Sequence, residues 1–177
     1  MKSIPVTGQK VPDFALEVNG TKTTLKELYS QGPVVLTFYC GGWCPYCILE
    51  LKAWEKLSPK LKELGLTVIG ISPEGAQEQE KTRQKVGLET VSLAPDADNS
   101  MAHKLGLVFT VHPEVKAKYK EFGLDLEASQ GNDRWELPMP GTYLIDQKGI
   151  IRFAQADPDY TVRAEPEHVL TVLRYLN

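Results

Sequence analysis

The chain alternates short apolar runs with amphipathic segments, a pattern that predicts strands and helices in turn. Phe14 to Val18 reads as a short strand, closed by an Asn19-Gly20 turn. Thr24 to Leu28 reads as a short helix or turn. Pro33 to Tyr39 (PVVLTFY) is apolar almost throughout and rich in β-branched and aromatic residues, as in a strand buried on both faces. A helix is expected from Pro45, because Ile48, Leu51, Trp54, Leu57, Leu61 and Leu64 recur three or four apart and make one stripe. Pro59 removes the hydrogen bond to the Glu55 carbonyl and predicts a kink. Gly65 ends the helix.

Leu66 to Ile71 (LTVIGI) reads as the next strand, and Ser72-Pro73 as the start of a polar surface helix through Val86. A strand at Val91 to Ala94 and a small helix from Asn99 to Leu105, closed by Gly106, follow. Thr142 to Asp146 and Ile150 to Ala154 form a hairpin around Gln147-Lys148-Gly149. Glu165 to Leu176, with apolar Val169, Leu170, Leu173 and Leu176, is the closing helix. Residues 107–138 break the alternation: His112-Pro113 to Phe122 reads as helix and Gly123 to Leu137 as irregular, an insertion packed over one edge. The order βαβαβ, insertion, ββα is that of an α/β protein with a parallel pair at the sheet centre and an antiparallel edge. This is the thioredoxin-like arrangement: a central mixed sheet flanked by helices, with an N-terminal strand extension.

A length of 177 residues fits one domain, 1–177, with 107–138 inserted in it. Twenty Lys and Arg against 23 Asp and Glu give a net charge of −3, which speaks against nucleic acid as a partner. Apolar runs no longer than about Val34 to Phe38 give no transmembrane helix, and no membrane association is expected. The start MKSIPVTGQKVPDF has Lys2 but no apolar core of a signal peptide, so the expected compartment is the cytoplasm.

The chemistry is concentrated in three cysteines, Cys40, Cys44 and Cys47. Trp43-Cys44-Pro45-Tyr46-Cys47 lies where the buried strand hands over to the long helix. Pro45 suits the first helical position, which makes Cys44 the N-cap. A thiolate at a helix N-terminus is stabilised by the partial positive charge there. Two cysteines three apart at that place form a reversible redox pair. Two metal readings compete. Structural zinc would need further ligands, and His103, His112 and His168 are scattered. The spacing C-x3-C-x2-C also matches a four-iron cluster loop, but the chain is too short for the barrel such enzymes use. No cofactor or metal is expected.

The segments VPDFALEVNGTKTTLKEL, VVLTFY and GTYLIDQKGIIRF resemble the alkyl hydroperoxide reductase/thiol-specific antioxidant (AhpC/TSA) family. FYCGGWCPYCILEL and DPDYTVRAEP resemble its peroxiredoxin-like branch. The resemblance covers nearly the whole chain and implies a thioredoxin fold. Laid on peroxiredoxins, it makes Cys47 the peroxidatic cysteine, with Cys44 where the family has its active-site Thr and Cys40 where it has Pro. Laid on thioredoxins, it makes Cys44 the attacking thiol and Cys47 the resolving one, and it matches Pro140 to the cis-proline facing the disulfide. The peroxiredoxin Arg falls at about the position of Pro140, so that group is expected to be missing.

The resemblance thus implies a thiol peroxidase acting on hydrogen peroxide or alkyl hydroperoxides. In it Cys47 is peroxidatic, Cys44 resolves, and an external thiol such as thioredoxin or glutathione resets the pair. A protein disulfide oxidoreductase is the alternative, and a metal or cluster module on all three cysteines is a third. Trp43, Pro45, Tyr46 and Pro140 are expected to line the site. Trp135, just before Pro138, either lines it from the insertion or packs in the core. Cys40 reads as a small buried hydrophobe, and the histidines are given no role. Asp157, Asp159 and Glu165 read as a solvated acidic loop. A monomer or a homodimer fits the sequence equally.

Overall fold

The computed structural model describes residues 3–176; the Met1-Lys2 start, read above for its lack of a leader, lies outside them. A hairpin comes first: β1 (Ala15–Val18) and β2 (Thr21–Thr24) pair antiparallel across Asn19 and Gly20, both at positive φ. The polar β2, Thr-Lys-Thr-Thr, carries too little apolar pattern to be read as a strand from sequence. Thr24 then caps α1 (Leu25–Gln31) in a reciprocal capping box with Glu27.

The expected buried strand is β3 (Val34–Phe38), and it feeds α2 (Pro45–Lys56). Pro59 ends that helix outright instead of kinking it. The chain turns at Leu57 and resumes as α3 (Ser58–Leu64), where the proline occupies the first turn and has no hydrogen bond to lose. Gly65 closes α3 in the left-handed conformation. β4 (Thr67–Ser72) follows.

Ser72-Pro73 does not start the next helix. Ser72 stays in the sheet, its carbonyl accepting from Asp96 N–H at 2.8 Å, and α4 (Ala76–Val86) begins only after the Gly75 cap. The extra turn brings Glu74 to the end of the sheet.

The remaining elements are β5 (Ser92–Pro95), α5 (Ser100–Lys104), β6 (Val108–Thr110), α6 (Pro113–Glu121), α7 (Leu126–Gln130) and β7 (Glu136–Pro138). β8 (Gly141–Ile145), β9 (Ile151–Ala156) and α8 (Pro166–Leu176) complete the chain. Residues 123–137, expected to be irregular, thus contain α7 and β7. Both are three to five residues long, shorter than a periodic pattern can reveal.

The central sheet has the order β5-β4-β3-β8-β9, with β3, β4 and β5 parallel and β8 and β9 antiparallel to their neighbours. Along β3 the side chains alternate between two cores. Val34, Leu36 and Phe38 join α1 and α5 on one face. Val35 and Tyr39 face α2, α3 and α8 on the other, with Cys44, Cys47, Leu51 and Trp54. The cysteines are therefore part of a hydrophobic core and not a surface loop. Among the described residues no helix is long and apolar enough to cross a membrane.

Leu51 is one turn along α2 from Cys47 and almost wholly buried. Leu51→Ala should lower unfolding stability by about 2–5 kcal/mol, measured by urea denaturation. A loss below 1 kcal/mol would mean that this face of α2 does not anchor the cysteines.

Candidate active site

The end of β3 and the start of α2 place the three sulfurs within 4.8 Å of one another. Cys44 is the N-cap of α2 in extended conformation and Pro45 opens the first turn, as the spacing predicts. Cys47 lies in that turn on the inward side and is fully buried; Cys40 is half-buried. Cys40 Sγ lies 3.5 Å from Cys47 Sγ.

Gly41 and Gly42 let the intervening loop fold this tightly. A Cβ on Gly41 would run into the Trp43 indole and Glu74, and one on Gly42 into the Thr82 hydroxyl. The loop is also held from below, since Glu74 accepts a hydrogen bond from Gly42 N–H at 3.0 Å.

The charge distribution over the thiols is uneven. The Cys40 and Cys47 thiols turned toward Cys44, aided by the Cys47 and Tyr46 amides, hold the Cys44 thiol far below the usual range. Cys40, serving as donor to both others, is pushed well up. Cys47 is lowered by the Cys40 thiol, but the competing demand of Cys44 and burial outweigh this and leave it above the usual value. In the reduced trio one negative charge therefore rests mainly on Cys44.

A cation attends Cys47 after all. Pro140 carries no guanidinium, but Arg163 reaches in from the loop before α8, with Nη2 3.3 Å from Cys47 Sγ. Its Nη1 donates to Glu50 Oε2 at 2.8 Å. Glu50 is three residues beyond Cys47 on α2, and its other oxygen accepts from Thr37 at 3.0 Å and Thr142 at 3.2 Å. These threonines face each other across β3 and β8. The carboxylate is thus satisfied on both oxygens inside the core, as a buried charge must be.

Sequence reasoning missed this set. The signals available were a lone arginine in an otherwise acidic loop and a glutamate on the apolar side of α2. Asp159 does remain exposed, accepting from Thr161 N–H, whereas Asp157 is half-buried, its N–H bonded to the Pro140 carbonyl at 3.2 Å.

A cavity of about 540 Å³ opens over the cysteines, lined by Cys40, Trp43, Cys44, Tyr46, Pro140 and Arg163 among others. Pro45 also borders it, as expected. Tyr46 meets Tyr160 edge to face at 5.5 Å on its rim. Pro140 faces the site but is not cis, for all described peptide bonds are trans. The segment from β7 into β8 runs on extended, anchored by Met139 N–H to the Leu107 carbonyl at 2.9 Å. Trp135 does not reach the cavity. It packs one layer behind with Val111, Leu126 and Leu137, its indole donating to Glu127 at 2.7 Å, while Cys40 and Trp43 rest against that cluster. Trp43 also borders a second cavity of about 430 Å³, which contains Glu74.

Of the three histidines, His103 pairs with Glu136, His112 caps α6, and His168 packs on Phe153. Among the described residues no fourth His, Cys, Asp or Glu joins the sulfurs.

A buried dithiol at the start of a helix, set on a five-stranded mixed sheet, defines a protein of the thioredoxin fold. The chain belongs to the AhpC/TSA family, whose model matches residues 7–154. A Bacillus subtilis relative, peroxiredoxin Bcp, is 29% identical over 142 residues, 80% of this chain and 79% of its own. A Helicobacter pylori relative is 35% identical over 97 residues, and the chain spans 62% of its length. The crystal structure of peroxidoxin BcpB from Mycobacterium tuberculosis superposes with a TM-score of 0.77 at 24% identity, covering 97% of this chain and 98% of that one. This last likeness establishes the fold.

Two outcomes follow from the buried charges. Arg163→Gln strands the Glu50 carboxylate and should cost about 3–5 kcal/mol in urea unfolding. It should also move the Cys47 thiol further up, read from thiolate absorbance against pH; an unmoved titration would detach Arg163 from the sulfur. Glu74 is governed by burial, which pushes its carboxyl up to about 7 against the opposing Gly42 amide. The folded state therefore holds this proton more tightly than the unfolded chain. The resulting stability is complete below about pH 4.5 and is lost as the pH rises to about 7. The loss should reach roughly 3 kcal/mol, and Glu74→Gln should flatten that limb of the pH–stability curve. An unchanged slope would show that another group sets it.

Proposed function

We propose that the protein is a peroxiredoxin-like thiol peroxidase in which Cys47 reduces hydrogen peroxide or an alkyl hydroperoxide and Cys44 resolves the product. The observation that carries this reading is the Arg163 guanidinium 3.3 Å from Cys47 Sγ, fixed there by Glu50. It supplies at a different position the charge that Pro140 cannot. Kinship with peroxiredoxin Bcp supports the same activity.

In the reduced trio the charge rests on Cys44, so reaction begins with a proton passing from Cys47 to Cys44. The Cys47 thiolate formed beside Arg163 attacks the outer peroxide oxygen. The O–O bond breaks, and the departing alkoxide or hydroxide is protonated from the Cys44 thiol while the guanidinium stabilises the developing charge. Cys47 becomes a sulfenic acid. The Cys44 thiolate then attacks its sulfur; the S–S bond forms, the S–O bond breaks, and the hydroxide released takes a proton from solvent to leave as water. An external thiol of the thioredoxin or glutathione type returns both sulfurs to the reduced state.

A second reading rests on Cys44. It is the preferred thiolate and borders the open cavity, whereas Cys47 lies behind it. These are the features of a thiol that attacks a partner protein's disulfide.

Single-turnover oxidation by hydrogen peroxide, followed by the fluorescence of Trp43, separates the two. Oxidation should persist in Cys44→Ser, slowed by the loss of the Cys44 proton acceptor, and vanish in Cys47→Ser, and Arg163→Gln should slow it roughly 10- to 1000-fold. Oxidation that depends on Cys44 and survives Cys47→Ser would assign the chemistry to the disulfide oxidoreductase.

A further inference from the structure

Cys40 has the position of a reacting group and not of a spectator. Its sulfur is 3.5 Å from Cys47 Sγ, and the three sulfurs lie within 4.8 Å of one another. Cys40 is half-buried and borders the cavity, as Cys44 does, whereas Cys47 is sealed behind them. Any oxidised form of Cys47 therefore has two thiols at hand, one of them Cys40 at 3.5 Å. A small buried hydrophobe needs neither this contact nor access to the cavity.

We propose that Cys40 is a second resolving thiol, so that Cys47 forms a disulfide with Cys40 as well as with Cys44 and the two bonds interchange. The inference rests on the peroxidase reading for its oxidant but not for the pairing itself. The Cys40 sulfur attacks the sulfenic sulfur of Cys47. The S–S bond forms, the S–O bond breaks, and hydroxide leaves with the Cys40 proton as water. The Cys44 thiolate then attacks the Cys47 sulfur of that bond, giving Cys44–Cys47 and a Cys40 thiolate that takes up a proton from solvent. No further oxidant is consumed, and an external dithiol closes the cycle. Two resolving thiols shorten the life of the sulfenic acid and so oppose its further oxidation to sulfinic acid.

The test uses the full-length Cys44→Ser protein, with Cys44→Ala beside it, and two oxidants: one equivalent of hydrogen peroxide, and diamide, which oxidises thiols without forming a sulfenic acid. Intact mass and alkylation are read first. Cleavage after Trp43 and Tyr46 then separates Cys40 from Cys47, which lie on one tryptic peptide. The expected result with either oxidant is a loss of two hydrogens and a linked Cys40–Cys47 peptide. Wild-type protein quenched in acid after substoichiometric peroxide should contain the same linked peptide, a check independent of how the variants fold. If Cys47 gains oxygen while Cys40 stays freely alkylatable, and diamide also leaves Cys40 free, the proposal is overturned. If diamide links the pair while peroxide leaves both thiols untouched, the pairing stands and the peroxidase reading is what falls.

Discussion

The site depends on one carboxylate kept inside a hydrophobic core. Glu50 sits on the face of α2 that packs against the sheet, where an ionised group survives only if every lone pair is used. Thr37 and Thr142 take one oxygen and Arg163 the other. The threonines tie the helix to β3 and β8 at the sheet centre. The arginine ties the loop before α8 to the same point, and its remaining nitrogen is left facing Cys47. Helix, sheet and distal loop are thus registered by one buried charge, and the cation reaches the sulfur as a by-product of satisfying it.

This explains which parts of the molecule the sequence disclosed. The strand at Pro33 to Tyr39, the start of a helix at Pro45 and the hairpin around Gly149 are governed by local periodicity and turn chemistry, and all three are present, although the helix stops at Lys56 instead of running on to Leu64. Cys44 as N-cap follows from its neighbour Pro45 alone. Arg163 is different, because its role comes from a contact spanning more than a hundred positions, and nothing in Thr-Val-Arg-Ala marks it locally. The family pattern pointed instead to Pro140, where no guanidinium can be. Glu74 was hidden for a similar reason. Ser72-Pro73 resembles a helix start, and only the pairing of Ser72 with β5 delays the helix and turns the glutamate under the cysteine loop. The trans conformation of Pro140 likewise reflects the extended run from β7 to β8, which is set by tertiary pairing.

The two glycines between Cys40 and Cys44 show how closely the site is drawn into the core. They are required by what lies against them, the Trp43 indole and the Thr82 hydroxyl, and not by a turn of unusual handedness. Trp43 in turn separates the cavity over the sulfurs from the one that holds Glu74. The site is therefore enclosed on one side by a single indole, which rests edge to face on Tyr119 of α6 at 5.7 Å. The 107–138 region thereby supports the wall of a site whose reacting atoms all lie elsewhere.

In the proposed cycle the low proton affinity of Cys44 also bears on the redox poise of the dithiol. Whatever stabilises a thiolate in the reduced protein stabilises reduced over oxidised, and here the neighbouring thiols and the first amides of α2 do so before any partner arrives. A disulfide between Cys44 and Cys47 would close a ring of only four residues, so its formation would restrict the unfolded chain little and add little to the stability of the oxidised state. Both effects act in one direction. In the proposed cycle, where the peroxide drives the oxidation, they make the oxidised pair a ready acceptor of electrons from an external thiol.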